Sequence, residues 1–164
     1  MAMIFFMEMN IKKPVVVCIG TPKVIGDSLG PKVGDLLINK YKINAYVYGK
    51  TSSPVTGVNC QKYYEHVRTH HAESIIIAVD ACLGKEEDVG KIKYSLEGLR
   101  AGSALQRKFE KFGDIGFLGV VAVKQEDNFL ALLNVKNEEI DNLAEKIAQK
   151  IQNLTCNLRL SYNF

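Results

Sequence analysis

At 164 residues, with 47% hydrophobic and 24% charged residues, the chain has the size and composition of one globular domain with a real core. Its net charge of +3 is small and its lysines are scattered, which argues against nucleic acid as a direct partner. The apolar start, 1–8, is too short to span a membrane and lacks the charge and cleavage pattern of a secretory signal.

Residues 1–13 therefore read as a loose extension of a single α/β domain, 1–164, with no membrane partner. The cysteines Cys18, Cys60, Cys82 and Cys156 form no CxxC pair, and two of them fall inside apolar strand-like runs. That pattern fits reduced thiols in a cytoplasmic protein.

The first predicted element is the β-branched run that starts at Val15 and stops at Gly20. Consecutive apolar residues suit a strand covered on both faces, as in a parallel sheet between helices. A polar loop carrying Asp27 follows, and then a helix over 29–40, with Pro31 near its start where a missing N–H does no harm. A second strand is expected at 45–48, a turn-rich loop at 50–57 and a helix at 58–70 with Tyr63, Tyr64 and Val67 inward. Arg68, His70 and His71 gather where that helix ends. Cations favour a helix C-terminus, and two adjacent histidines rarely ligate one metal.

Residues 74–80 form the clearest strand, continuous, β-branched and ending in Asp80, after which 81–84 is expected to leave the sheet. A charged loop, 85–88, leads to the alternating run 91–96, which reads as an edge strand. A glycine-punctuated loop, 98–105, runs into a short polar helix at 106–111. A last strand, 114–123, and helices at 126–133 and 138–154 close the chain. This order predicts a three-layer α/β/α sandwich around a mostly parallel sheet of about five strands.

In such sheets ligands bind beyond the carboxyl ends of the strands, where chain direction reverses. Asp27 follows the first strand and Asp80 ends the third, and those strands are commonly neighbours. Two carboxylates at one crevice can activate water by dividing the acid and base roles, or can hold a divalent metal through oxygen. The alternative is that Asp27 caps one helix, Asp80 caps the next turn, and the two never meet. Other candidates are thinner: Cys82 has no histidine context, Gly20 and Gly98 open no phosphate-binding fingerprint, and Ser52 and Ser103 sit in no nucleophile elbow.

Several short segments together resemble the YyaC-like sporulation proteins, a family labelled as spore protease-like. They are Gly20-Thr21 with the run from Gly26-Asp27-Ser28 to Gly34, then Tyr48-Gly49 with Pro54-Val55. Asp80-Ala81-Cys82-Leu83-Gly84 with Val89-Gly90 follows, and Ala101-Gly102-Ser103-Ala104-Leu105 with Gly113-Asp114-Ile115 completes the set. The family is similar to the germination protease of spore-forming bacteria, which degrades small acid-soluble spore proteins, and more distantly to hydrogenase maturation proteases. The resemblance implies a hydrogenase-maturation-protease-like fold and a peptidase acting on a peptide or protein in the forespore or spore. Asp27 and Asp80 are then its catalytic pair and the ligands of any divalent metal, with Thr21, Ser28, Gly102 and Ser103 against the substrate.

The chain also departs from its relatives. Ala101 stands where they tend to have proline, and no histidine lies between Asp80 and Asn134, which disfavours the nickel recognition of the maturation enzymes. The germination protease is longer, with a pro-segment and added elements. A second expectation of a different class therefore stays open: a non-catalytic sporulation protein that binds a peptide or protein partner in the same crevice.

Overall fold

The computed structural model describes residues 12–101 and 111–160. The strands are β1 (Val15–Cys18), β2 (Tyr46–Tyr48), β3 (Ile76–Gly84), β4 (Ile92–Ser95), β5 (Leu99–Arg100), β6 (Lys111–Phe112) and β7 (Ile115–Val123). The helices are α1 (Leu29–Asp35), α2 (Cys60–His70), α3 (Asn128–Leu133) and α4 (Asn137–Leu160). A 3₁₀ turn, Gly26–Ser28, precedes α1, and a π turn, Leu36–Lys40, continues it. Of the extension expected at 1–13, only Lys12 and Lys13 lie among the described residues.

Five strands build one sheet in the order β2-β1-β3-β7-β4, parallel except for β4, which pairs antiparallel with β7. The alternating edge strand expected at 91–96 is thus β4. The fully buried run Val15–Cys18 lies between β2 and β3, which is why it is β-branched throughout and does not alternate. Chain order and sheet order differ in the way that makes a switch point: β1 leads outward to β2, and the next strand returns to its other side.

Helices cover both faces. On one, α1 and α4 bury Leu29, Val33, Leu37, Ile140, Leu143, Ile147 and Ile151 against Val16, Ile77 and Val79. On the other, α2 lays Cys60, Tyr64 and Val67 on Val15, Val17 and Ala78, and Tyr64 stacks on Phe112 at 3.9 Å. Each large aliphatic side chain so buried stabilises the fold by roughly 1.5–3 kcal/mol. At the surface, ion pairs of 2.5 Å from Lys32 to Asp141 and from Lys40 to Glu145 tie α1 and its π turn to α4.

Two expectations change. The third strand does not end at Asp80. It runs on to Gly84, because β7 is equally long and pairs it through Cys82↔Val120 and, past a bulge, Gly84↔Val123. The glycine-punctuated stretch after Gly98 begins as β5, which pairs with β6. Lys111, expected at the end of a helix, lies in β6, and the rest of that helix, 106–110, lies outside the described residues.

The approach of α1 to β1 is set by Gly30. A methyl group there would start 2.1 Å from the carbonyl oxygen of Ile19 and 2.7 Å from its carbon, both backbone atoms that cannot step aside. Gly30→Ala is expected to destabilise the protein by about 2–3 kcal/mol, read as a lower midpoint in urea unfolding. A midpoint unchanged from wild type would show that α1 does not sit this close to β1.

Candidate active site

The site lies where β1 stops. β1 is paired with β3 up to Cys18↔Val79, and the Ile19 amide donates to the Val79 carbonyl at 2.7 Å. Asp80 is therefore the first residue of β3 beyond the end of its neighbour, although β3 itself continues. By strand alternation its side chain shares a face with Ala78, the face covered by α2.

From Ile19 the chain turns away at Gly20, whose φ of 145° is one that L side chains rarely adopt. The Gly20 amide donates to the Val55 carbonyl at 2.8 Å, which ties this turn to loop 50–57. The chain then returns through 21–26 to the 3₁₀ turn that carries Asp27.

Asp27 is half-buried, and its Oδ2 accepts the backbone N–H of Thr21 at 3.0 Å, across its own loop. Asp80 is only 2% exposed, and its Oδ1 accepts the Ala81 N–H at 2.8 Å. Neither hydrogen bond is a helix cap. The residue ahead of α1 is Ser28, and the Asp27 carboxylate reaches backward rather than into the helix. Both acids line one pocket of about 430 Å³.

The other walls come from distant parts of the chain. Pro54, Thr56, Gly57 and Val58 form one side, with Ala81 beside Asp80, and Phe129 and Leu132 of α3 close another. Asn59 holds the first side in shape: its Oδ1 accepts the Thr56 N–H at 2.8 Å and its Nδ2 donates to the Pro54 carbonyl at 3.1 Å. Asp127 caps α3 by accepting the Leu130 N–H at 2.9 Å, which sets the helix that carries Phe129. The mouth is apolar and open, with Val58 90% and Phe129 50% exposed, and Lys23 contributes a cation to the lining.

A buried carboxylate imposes its field on its neighbours. Burial first, and then the charges of Cys60 and Asp80, push the Tyr64 phenol far above its ordinary range. The Cys60 thiol is raised by burial, with Asp80 adding to the effect. The Cys82 thiol is pushed up to about 11 by burial and by Asp80 and Asp88, against the opposing pull of Lys93. These thiols are poor nucleophiles at neutral pH, as is Cys18, fully buried and raised beyond them.

Of the residues singled out from the sequence, Asp27, Asp80 and Thr21 meet at the pocket. Ser28 does not: it is buried, and its Oγ donates to the Ile25 carbonyl at 2.6 Å. Gly102 and Ser103 lie outside the described residues. The wall residues Thr56, Val58, Phe129 and Leu132 were not expected. The only hint of them in the sequence is the density of turn formers at 50–57 and a phenylalanine on a short helix.

The two acids form a sparse donor set for a resident metal. Among the described residues no three His, Cys, Asp or Glu side chains gather to hold a cation. Two carboxylates suit at most a loosely held, largely hydrated hard cation.

The family described as "Protein of unknown function (DUF1256)" matches residues 1–150. The uncharacterized protein YyaC of Bacillus subtilis (strain 168) is 36% identical over 138 residues, covering 84% of this chain and 67% of the relative. Among solved structures, the NiFe hydrogenase maturation protease HycI of Thermococcus kodakarensis KOD1 is similar with a TM-score of 0.60 and 14% identity, over 90% of this chain and 94% of that one. An uncharacterized protein of Wolinella succinogenes scores 0.52 at 16% identity, over 90% and 99%. A hydrogenase 2 maturation peptidase of a Thaumarchaeota archaeon scores 0.51 at 16%, over 85% and 96%. At these identities the likeness is one of fold: the α/β sandwich is that of the hydrogenase maturation proteases.

The charge on Asp80 can be read at Cys82. In Asp80→Asn the thiol is expected to titrate below its value of about 11, because the substitution removes one of the anions that raise it. The pH dependence of alkylation at Cys82 measures this directly. A profile that does not move would show that Asp80 adds nothing to the rise at Cys82.

Proposed function

The chain belongs to the DUF1256 family, whose description assigns no activity, and on that premise we propose that it is a peptidase acting through Asp27 and Asp80. The observation that carries this reading is the arrival of both carboxylates at one pocket, at the end of β1, where α/β sheets place their ligands. The fold shared with maturation proteases is consistent with peptide hydrolysis as the reaction class, although a fold by itself hosts many chemistries.

In this reading an extended peptide enters over Val58 and Phe129, and its scissile carbonyl rests between the acids. The ionised carboxylate takes a proton from the attacking water, and the partner in its acid form donates one to the departing amine. The backbone N–H groups of Thr21 and Ala81 hold the two carboxylates in orientation throughout. The resemblance to sporulation proteins suggests the substrate to try first, the small acid-soluble spore proteins, and the forespore or spore as the place of action.

A second reading is favoured by the exposed apolar mouth, which would suit capture of a peptide without cleavage. One assay separates the two. Wild type is expected to cleave small acid-soluble spore proteins or members of a peptide library, with and without added divalent cations. Asp27→Asn and Asp80→Asn should each lower the rate by about 10²–10⁴-fold, since Asn keeps the shape but supplies no general acid or base. The double variant should be scarcely slower than either single one, because the acids act as a unit. Wild-type turnover no faster than that of the variants would overturn the peptidase, and fluorescence anisotropy on the same peptides would then measure the binding protein.

A further inference from the structure

The sequence holds three histidines, and all of them fall in one corner of the fold, none lining the acids' pocket. His66 and His70 stand four apart on the last turns of α2 with their rings stacked at 4.2 Å. His71 follows the helix, and its ring lies 6.3 Å from that of His66. The edge strand β2 brings Tyr48 up to them. Its hydroxyl oxygen is 2.8 Å from Nε2 of His71 and 3.3 Å from Nε2 of His66. The helix C-terminus accounts for cations near residue 70, but it does not require two imidazole nitrogens to meet on one phenol of another element.

We propose that His66, His71 and Tyr48, with His70 beside them, form a binding site for a borderline divalent transition metal of the zinc class. Imidazole nitrogen is the donor such ions prefer. In a tetrahedral zinc shell with bonds of about 2.0–2.1 Å, neighbouring donors stand about 3.3 Å apart. The Tyr48 oxygen lies 2.8 Å from one Nε2 atom and 3.3 Å from the other, close to that spacing. The third donor here is a phenol, so the site is not a cluster of His, Cys, Asp and Glu alone.

The surroundings help. His70 is anchored through Nδ1 to the His66 carbonyl at 2.9 Å, which orients it and leaves Nε2 as its remaining donor. His66 and His70 are exposed, so an ion can reach the site from solvent. An ion held there would fasten β2 to the end of α2.

The test uses the untagged full chain in a Cys156→Ser background, because Cys156 is an exposed thiol that would compete for the ion. Calorimetric titration with zinc chloride alone is expected to give one ion per chain, with a rise in Tm that grows with zinc concentration. His66→Gln and His71→Gln should each weaken binding at least about tenfold and remove the Tm rise. Tyr48→Phe, which keeps the ring packing, should weaken it less. Absence of saturable binding in the parent chain, or binding unchanged in both histidine variants, would overturn the proposal.

Discussion

The end of β1 and the start of α1 are in backbone contact, and most of the molecule follows from that contact. With the Ile19 carbonyl 2.1 Å from where a Gly30 side chain would begin, α1 cannot slide or tilt on the sheet. The chain between the two must then leave at Gly20 and return within a few residues, and the return carries Asp27 over the strand end. The same contact seats Leu29, Val33 and Leu37 on the sheet and so presents α1 to α4. A looser approach would lose the core on that face and the position of the acid together.

The second constraint is electrostatic. Asp80 occupies a place where β3 is otherwise Ile, Ala, Val, Cys, Leu and Gly, and a carboxylate taken out of water there costs stability that an apolar residue would not. Burial is the main cause of the raised Tyr64, Cys60 and Cys82, and Asp80 adds to each. A fold under selection for stability alone has no use for such a group at the lip of a pocket, and functional sites are where such costs are found. The walls around it are ordinary by comparison: turns pinned by Asn59, a short helix capped by Asp127, and apolar side chains facing solvent.

Fold likeness to the maturation proteases and family membership bear on different questions. The first fixes the architecture on which the site is built, and the second groups the chain with proteins whose description carries no activity. What distinguishes this chain is local. Its histidines lie at the end of α2, while the polar side chains among the described lining of the acids' pocket are those of Asp27, Asp80, Thr21, Lys23 and Thr56.

Much of this was legible from the residues. Runs such as 15–18 and 76–79 are apolar at every position because both their faces are covered, and that pattern is local to the run. Asp27 and Asp80 could be singled out because each interrupts or follows such a run. Where β3 ends was not legible, since Ala81 to Gly84 stay in the sheet only because β7 is long enough to pair them. Nor was the idle hydroxyl of Ser28, which depends on the turn that brings the Ile25 carbonyl to it. The walls at Thr56, Val58, Phe129 and Leu132, and the meeting of Tyr48 with His66 and His71, join residues from separate elements. Such contacts leave no period or spacing in the sequence, because only the packing of helices onto the sheet decides which side chains meet.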